Sequence, residues 1–198
     1  MGKSSIVVQY VYKTFYDSYL PTIEDQYKKI DTIQGEQVEV NILDTSGVDE
    51  FIPLRHSWMA NKDAIILCYS VEKENYLKEV EKFFQEIAFA NQFNAVPIAL
   101  VANKIDITKH VISREEGEEV ARKNGALFFE CSAKNNIGIV KIFHELIMKV
   151  KAERTKKENE LKEKRLQNQL HQQPQNIIPG KKPDAGLCNV CGLECTIF

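Results

Sequence analysis

No run of about 18 apolar residues occurs in this sequence, so nothing in it reads as a membrane-spanning helix. The N-terminal residues do not have the basic, apolar, small-residue order of a secretory leader. Cysteine is sparse, with five in 198 residues, at Cys68, Cys131, Cys188, Cys191 and Cys195. Three of these crowd into the last eleven residues, which is no disulfide framework and points to a reducing, cytosolic setting. Charge of one sign is also lacking: 26 basic and 28 acidic residues leave a formal charge of −2, with no general attraction to nucleic acid. What remains is 43% hydrophobic and 27% charged, an ordinary composition for a globular domain. The length allows one domain of about 150 residues and a tail.

The chain opens with Gly2, Lys3, Ser4 and Ser5, followed by the apolar Ile6, Val7, Val8, Tyr10 and Val11. A Gly-Lys-Ser leading into a helix has the form of the second half of a phosphate-binding loop, but alone it is a weak signal. The spacing predicts a helix from residue 3 to about 13. Pro21 then marks a loop over Phe15–Asp25. Two strand-like runs, Gln26–Ile33 and Val38–Asp44, flank Gln34, Gly35 and Glu36 and read as a hairpin. Beyond them the pattern alternates. Continuous apolar runs at Ala64–Tyr69, Val96–Val101 and Leu127–Cys131 predict strands buried on both faces. Tyr76, Val80, Phe83 and Ile87 form a helical stripe between Asn75 and Asn91, and Glu115–Asn124 is a short helix with acidic residues at its start. Ile139, Phe143, Leu146, Ile147 and Val150 line a last helix. Strands alternating with helices define an α/β fold with a mostly parallel sheet and helices on both faces.

In such sheets, ligands sit beyond the carboxyl ends of the strands. The polar clusters Asp44-Thr45-Ser46-Gly47, Asn103-Lys104-Ile105-Asp106 and Ser132-Ala133-Lys134 all follow strands. Singly, Asp44, Asn103 and Asp106 read as turn formers and Ser132 as a helix N-cap. Their joint placement at strand ends argues for one site.

These clusters, together with Gly2-Lys3-Ser4 and Tyr19-Leu20-Pro21-Thr22-Ile23-Glu24-Asp25, resemble in order and spacing the small GTPases of the Ras family, on the Ras/Rap branch. The resemblance implies the P-loop GTPase fold over residues 1–165, with 166–198 as a flexible tail, and a GTP/GDP switch with Mg²⁺. It implies nucleotide contacts from Gly2, Lys3, Ser4, Ser5, Phe15, Tyr19, Thr22, Gly47, Asn103, Lys104, Asp106, Ser132, Ala133 and Lys134. Lys3 would sit at the β- and γ-phosphates, Ser4 and Thr22 would ligate Mg²⁺, and Asp44 would hold it through water. Phe15 would pack on the base, Asn103 would bond the purine, Asp106 would accept from the guanine N–H groups, and the Ala133 N–H would meet the guanine oxygen. Lys3, Thr22, Gly47 and Val48 would carry the chemistry. Effector proteins would dock on the loop from Tyr19 to Tyr27, and exchange factors and GTPase-activating proteins would act on the switch.

The chain departs from that pattern twice. The family carries a strand and the Gly-rich half of the loop before the position of Gly2, so the expected sheet lacks its middle strand and leaves two buried strands unpaired, as in a fragment of a longer gene product. Val48 stands where the family has a water-orienting glutamine, which implies slow hydrolysis. The alternative is a pseudoGTPase scaffold.

The tail begins near residue 151. Positions 149 to 165 hold eight Lys/Arg and four Glu and read as a solvated helix end, and 167 to 186 as a linker. Cys195-Thr196-Ile197-Phe198 resembles the family's lipidation box. Prenylation of Cys195, with Phe198 favouring geranylgeranyl, and palmitoylation of Cys188 and Cys191 would anchor the protein to the cytoplasmic face of the plasma membrane or an endomembrane. Cys188-x-x-Cys191 without a second Cys/His pair is a weak metal signal.

Overall fold

The computed structural model describes residues 1–17, 21–47, 51–72, 75–92, 94–171 and 192–197. Gly2 adopts a left-handed conformation (φ 91°) that only a residue without Cβ takes easily, and α1 (Lys3–Tyr12) starts directly after it. Ile6, Val7 and Tyr10 bury its inner face. The hairpin of β1 (Glu24–Ile33) and β2 (Glu36–Thr45) turns through Gln34 and Gly35, both at positive φ, as the twist of a two-residue turn requires. Along β2, Val38, Val40 and Ile42 face the core in alternation.

A helix that the apolar pattern does not reveal, α2 (Ile52–Met59), comes next, with Pro53 in its first turn. β3 (Ala64–Ser70) is buried at all seven positions, as its unbroken apolar run predicts. In α3 (Asn75–Ala90), Val80 and Ile87 are buried as expected, with Phe84 beside them and Phe83 half-buried. β4 (Ile98–Asn103) begins two residues later than expected. α4 (Arg114–Lys123) opens on a capping box between Ser113 and Glu116. β5 (Leu127–Cys131) is the sheet edge, and four of its five residues are half-exposed, not buried on both faces as the apolar run suggested. α5 (Ile139–His171) buries Ile139, Phe143, Leu146, Ile147 and Val150, then continues as the expected charged stretch, mostly exposed through Gln167, and ends at His171, six residues past the boundary set at 165.

The sheet runs β1-β2-β6-β3-β4-β5, parallel except for β1. β6 (Gly192–Ile197) corrects the sequence reading in two ways. The middle position expected to be lost is filled, and β2 and β3 both have partners. The end of the assumed flexible tail is the strand that fills it. β6 pairs with β2 from Glu39↔Gly192 to Asp44↔Ile197, and with β3 at Ala64↔Cys195, Ile65↔Thr196 and Ile66↔Ile197. The physical reason is the need of buried backbone groups for partners, since each left unpaired costs about 1–3 kcal/mol. Leu193, Cys195 and Ile197 join the core formed with α1 and α5. Among the described residues, no helix is long and apolar enough to cross a membrane.

Candidate functional site

The ends of β2, β4 and β5, the start of α1 and the loop after Pro21 converge on one edge of the sheet, where the crossovers leave a crevice. At its α1 end, the Ser4 and Thr22 hydroxyls lie 3.1 Å apart, and Ser46 donates its N–H to the Ile23 carbonyl at 2.9 Å, tying the loop before β1 to the end of β2. A Cβ at Gly47 would sit 2.9 Å from Lys3 Nζ, so the lysine lies directly over that backbone. Asp44 is fully buried, and neither of its carboxylate oxygens has a hydrogen-bond partner. Burial pushes it up to about 6; nearby Ser4 and Lys3 pull it down, and Asp25 adds to the rise.

An orphaned, buried carboxylate beside two hydroxyls is a set of hard oxygen donors. It fits Mg²⁺, which accepts few protein ligands and completes its shell with water and phosphate oxygens. Gly2 and Ser5 belong to the same turn. A Cβ on Gly2 would come within 2.6 Å of Asn103 Nδ2, so the backbone there is as close to the end of β4 as it can be.

At the end formed by β4 and β5, Asn103 is buried and used at both ends. Its Nδ2 donates to the Met1 carbonyl at 3.1 Å, and its Oδ1 accepts from the N–H groups of Lys104 (2.8 Å) and Ala133 (3.1 Å). Asn103 and the Ala133 N–H, assigned to the purine by resemblance, are here engaged with each other, and Asn103 positions three loops. Asp106 is exposed at the crevice, held by a 2.6 Å hydrogen bond from Ser132 Oγ, which also accepts from the Asn135 N–H at 3.0 Å. Ser132 therefore aims Asp106 and is no helix N-cap. Lys104 takes a left-handed backbone (φ 69°), and its ammonium is bonded to Glu72 at 2.6 Å. Lys134 is exposed, and Phe15 is half-buried against the core. Tyr19, Val48, Cys188 and Cys191 lie outside the described residues. Cys195 is buried in β6, away from the surface that a lipidation site needs.

Two contributors escaped sequence reading. Gln9 is buried, and its Nε2 donates to the Ala133 carbonyl at 2.7 Å, fixing the loop after β5 to α1. Its signal was a polar residue on the helix face shared by Ile6 and Tyr10. Glu72 holds Lys104 and is bonded by Ser70 Oγ at 2.9 Å; nothing in a lone glutamate marks that role.

A mostly parallel sheet with a lysine and a hydroxyl at a helix start, an orphaned aspartate at a strand end and a carboxylate held beside an asparagine tie defines the P-loop GTPase class of fold. Residues 1–152 match the model of the Ras family. The Ras-like protein rasS of Dictyostelium discoideum is 34% identical over 155 residues, covering 78% of this chain and 80% of that protein. Ras-like protein 2 of Mucor circinelloides f. lusitanicus is 34% identical over 168 residues, covering 83% and 85%. A Ras-like protein of Laccaria bicolor is 34% identical over 151 residues, covering 76% and 72%. The chain belongs to the Ras family of small GTPases, which generally bind GTP and GDP with Mg²⁺, hydrolyse GTP and work with effectors, exchange factors and activating proteins.

Proposed function

We propose that this chain is a guanine-selective GTP/GDP switch with slow intrinsic hydrolysis, working at a membrane. The observation that carries the nucleotide reading is the pair of sub-sites at one sheet edge: Asp106 aimed by Ser132, and orphaned Asp44 beside Ser4 and Thr22. An exposed carboxylate at Asp106 accepts from two adjacent N–H groups of guanine, whereas the edge of adenine offers the wrong pattern. Lys3 supplies a point charge for the terminal phosphates. Ser4, Thr22 and Asp44 would hold Mg²⁺, which neutralises charge on the phosphates when bound. Thr22 and Gly47 stand on the two loops that a γ-phosphate would draw together, and its loss would release them. Effectors would read the loop from Tyr19 to Tyr27.

Calorimetric titration with GDP and ADP in Mg²⁺ tests this reading. GDP is expected to bind at least about tenfold more tightly, and Asp106→Asn to remove most of that preference, a loss of about 1–3 kcal/mol for one charge-assisted hydrogen bond. Equal affinity for the two nucleotides would refute it.

Slow hydrolysis rests on Val48. Valine has no group that can orient a water, and its neighbours Asp49 and Glu50 would repel the γ-phosphate. Single-turnover hydrolysis of bound GTP should be faster in Val48→Gln than in the natural chain. A variant no faster would place the limit elsewhere. An activating protein could still supply the missing groups, since an arginine finger is worth about 10³–10⁵ in rate. The same valine favours a second reading, a pseudoGTPase that binds effectors without cycling; purified protein free of guanine nucleotide would support it.

Membrane residence would come from lipids on Cys188, Cys191 and Cys195, two signals being needed for stable anchoring. Cys195 can serve only in a form with β6 out of the sheet. Cell fractionation checks this part, and a wholly soluble protein would refute it.

A further inference from the structure

The chain's one tryptophan, Trp58 of α2, is 4% exposed and joins the core cluster of Met59, Ile65 and Leu67, with the Phe51 ring at 6.4 Å. α2 is fixed from the other side by α3 and the residue after it: Arg55 pairs with Glu86 at 3.3 Å, and Asn91 Nδ2 donates to the Met59 carbonyl at 3.1 Å. A buried indole has two side-chain torsions and one donor, so a helix held in this way presents its N–H at a fixed point. That N–H donates to Glu24 Oε2 at 2.7 Å. A carboxylate acceptor makes the bond charge-assisted, about twice as strong as a neutral one. Glu24 is exposed and is the first residue of β1, the edge strand, where it lies opposite Thr45 of β2. The end of an edge strand opens easily, so a side-chain tie counts most there. Thr22 stands two residues before Glu24, and its loop is also held by the Ser4–Thr22 contact at 3.1 Å and the Ser46 N–H to Ile23 carbonyl bond at 2.9 Å. The first of these reaches α1 and the second the end of β2, whereas the Glu24 bond reaches α2.

We infer that Trp58 is a positioning residue for Thr22: its indole N–H, acting through Glu24, fixes the loop that carries Thr22 to α2 and so sets where that hydroxyl meets Mg²⁺. This role rests on the nucleotide reading above and extends it to a residue outside the set assigned to nucleotide and metal. β1 begins two residues after Thr22, and α2 begins at Ile52, five residues after Gly47. One side-chain hydrogen bond thus joins the elements that follow the two ligand-bearing loops. Without the indole N–H, the loop at Thr22 is free of α2 and must be ordered when metal and γ-phosphate bind. That ordering cost comes off the affinity. Because Thr22 serves the metal, the cost falls on binding in the presence of Mg²⁺.

The test is equilibrium titration of the full natural chain, Trp58→Phe, Glu24→Ala and the double variant with a non-hydrolysable GTP analogue, in Mg²⁺ and in EDTA. Phenylalanine keeps an aromatic ring in the core and removes the donor, and alanine at exposed Glu24 removes the acceptor without touching the core. In Mg²⁺ each single variant should bind the analogue about tenfold more weakly, the value of one charge-assisted hydrogen bond. The double variant should bind no more weakly than either single one, because both changes delete the same bond. In EDTA the four chains should agree, since Thr22 then has no metal to meet. Should Trp58→Phe fail to fold, Glu24→Ala compared in Mg²⁺ and EDTA decides alone. Losses that add in the double variant would show two separate packing effects and no shared bond, and losses of equal size in EDTA would assign them to the fold in general. Variants that bind like the natural chain in Mg²⁺ would show that the bond does not position Thr22. A natural chain that binds the analogue in neither condition would refute the nucleotide reading itself, and this role with it.

Discussion

Asp44 shows how a buried, unpartnered carboxylate loads the fold. Its carboxylate is buried with both oxygens unpartnered, and burial raises it from the ordinary 3.8 to about 6. The folded state therefore binds a proton that the unfolded state releases between those two values, and stability falls as pH rises through that window. Below about 3.8 the penalty is absent; above about 6 it is complete, on the order of 3 kcal/mol from the shift. In metal-free protein, Asp44→Asn should raise stability at pH 7 by up to that amount and flatten the loss between pH 4 and 7. It should also abolish stabilisation by Mg²⁺ and GDP. Urea unfolding at the two pH values, with and without both ligands, is the measurement. A variant less stable than the natural chain in metal-free buffer at pH 7 would contradict the account. Ser132 is a quieter case: one hydroxyl both aims Asp106 and closes the turn at Asn135, so a residue that looks like a helix cap is a positioning residue.

Between elements, one polar knot joins α1, β1 and α5. Asp31 accepts from Tyr10 Oη at 2.8 Å and contacts His144 Nε2 at 3.0 Å, with Lys29 at 3.3 Å. Lys29 also lies 3.7 Å over the Tyr10 ring, which stacks on Phe143 with centroids 3.7 Å apart. Burial acts to raise Asp31, but the hydrogen bonds from Tyr10, His144 and the Thr32 N–H, with the charge of Lys29, hold it down to about 2. The sign is opposite to that of Asp44. Its contribution is fully present above the unfolded value of 3.8 and is lost as pH falls toward about 2. Asp31→Asn should therefore cost on the order of 2 kcal/mol at pH 7 and show a much smaller penalty near pH 2.5, read by thermal or urea unfolding at both. An equal cost at the two values would assign the loss to packing alone.

At the scale of the whole molecule, local pattern carried most of the fold. The hairpin, β3, α3, α4 and the apolar stripe of α5 follow from side-chain periodicity, which each segment holds within itself. The gathering of the polar clusters was legible for a related reason: Asp44 and Asn103 stand in the last positions of β2 and β4, Asp106 and Ser132 just beyond β4 and β5, and a parallel sheet brings strand ends to one edge. α2 was not legible, because its eight residues show no clean apolar stripe. The links that hold the site together were not legible either, since Gln9 to Ala133 and Asn103 to Met1 span more than a hundred residues and rest on single hydrogen bonds. Least legible was the occupant of the middle of the sheet. Leu193, Cys195 and Ile197 alternate over too short a run to stand out beside a cysteine-rich tail that resembles a lipidation box. The sequence alone determined most of the strands and helices and which polar clusters gather at the strand ends. Only the tertiary structure decided which segment closes the sheet, because backbone ladders pair N–H with C=O regardless of side chain, and the choice falls to whichever alternating segment can reach the cleft and fill its core.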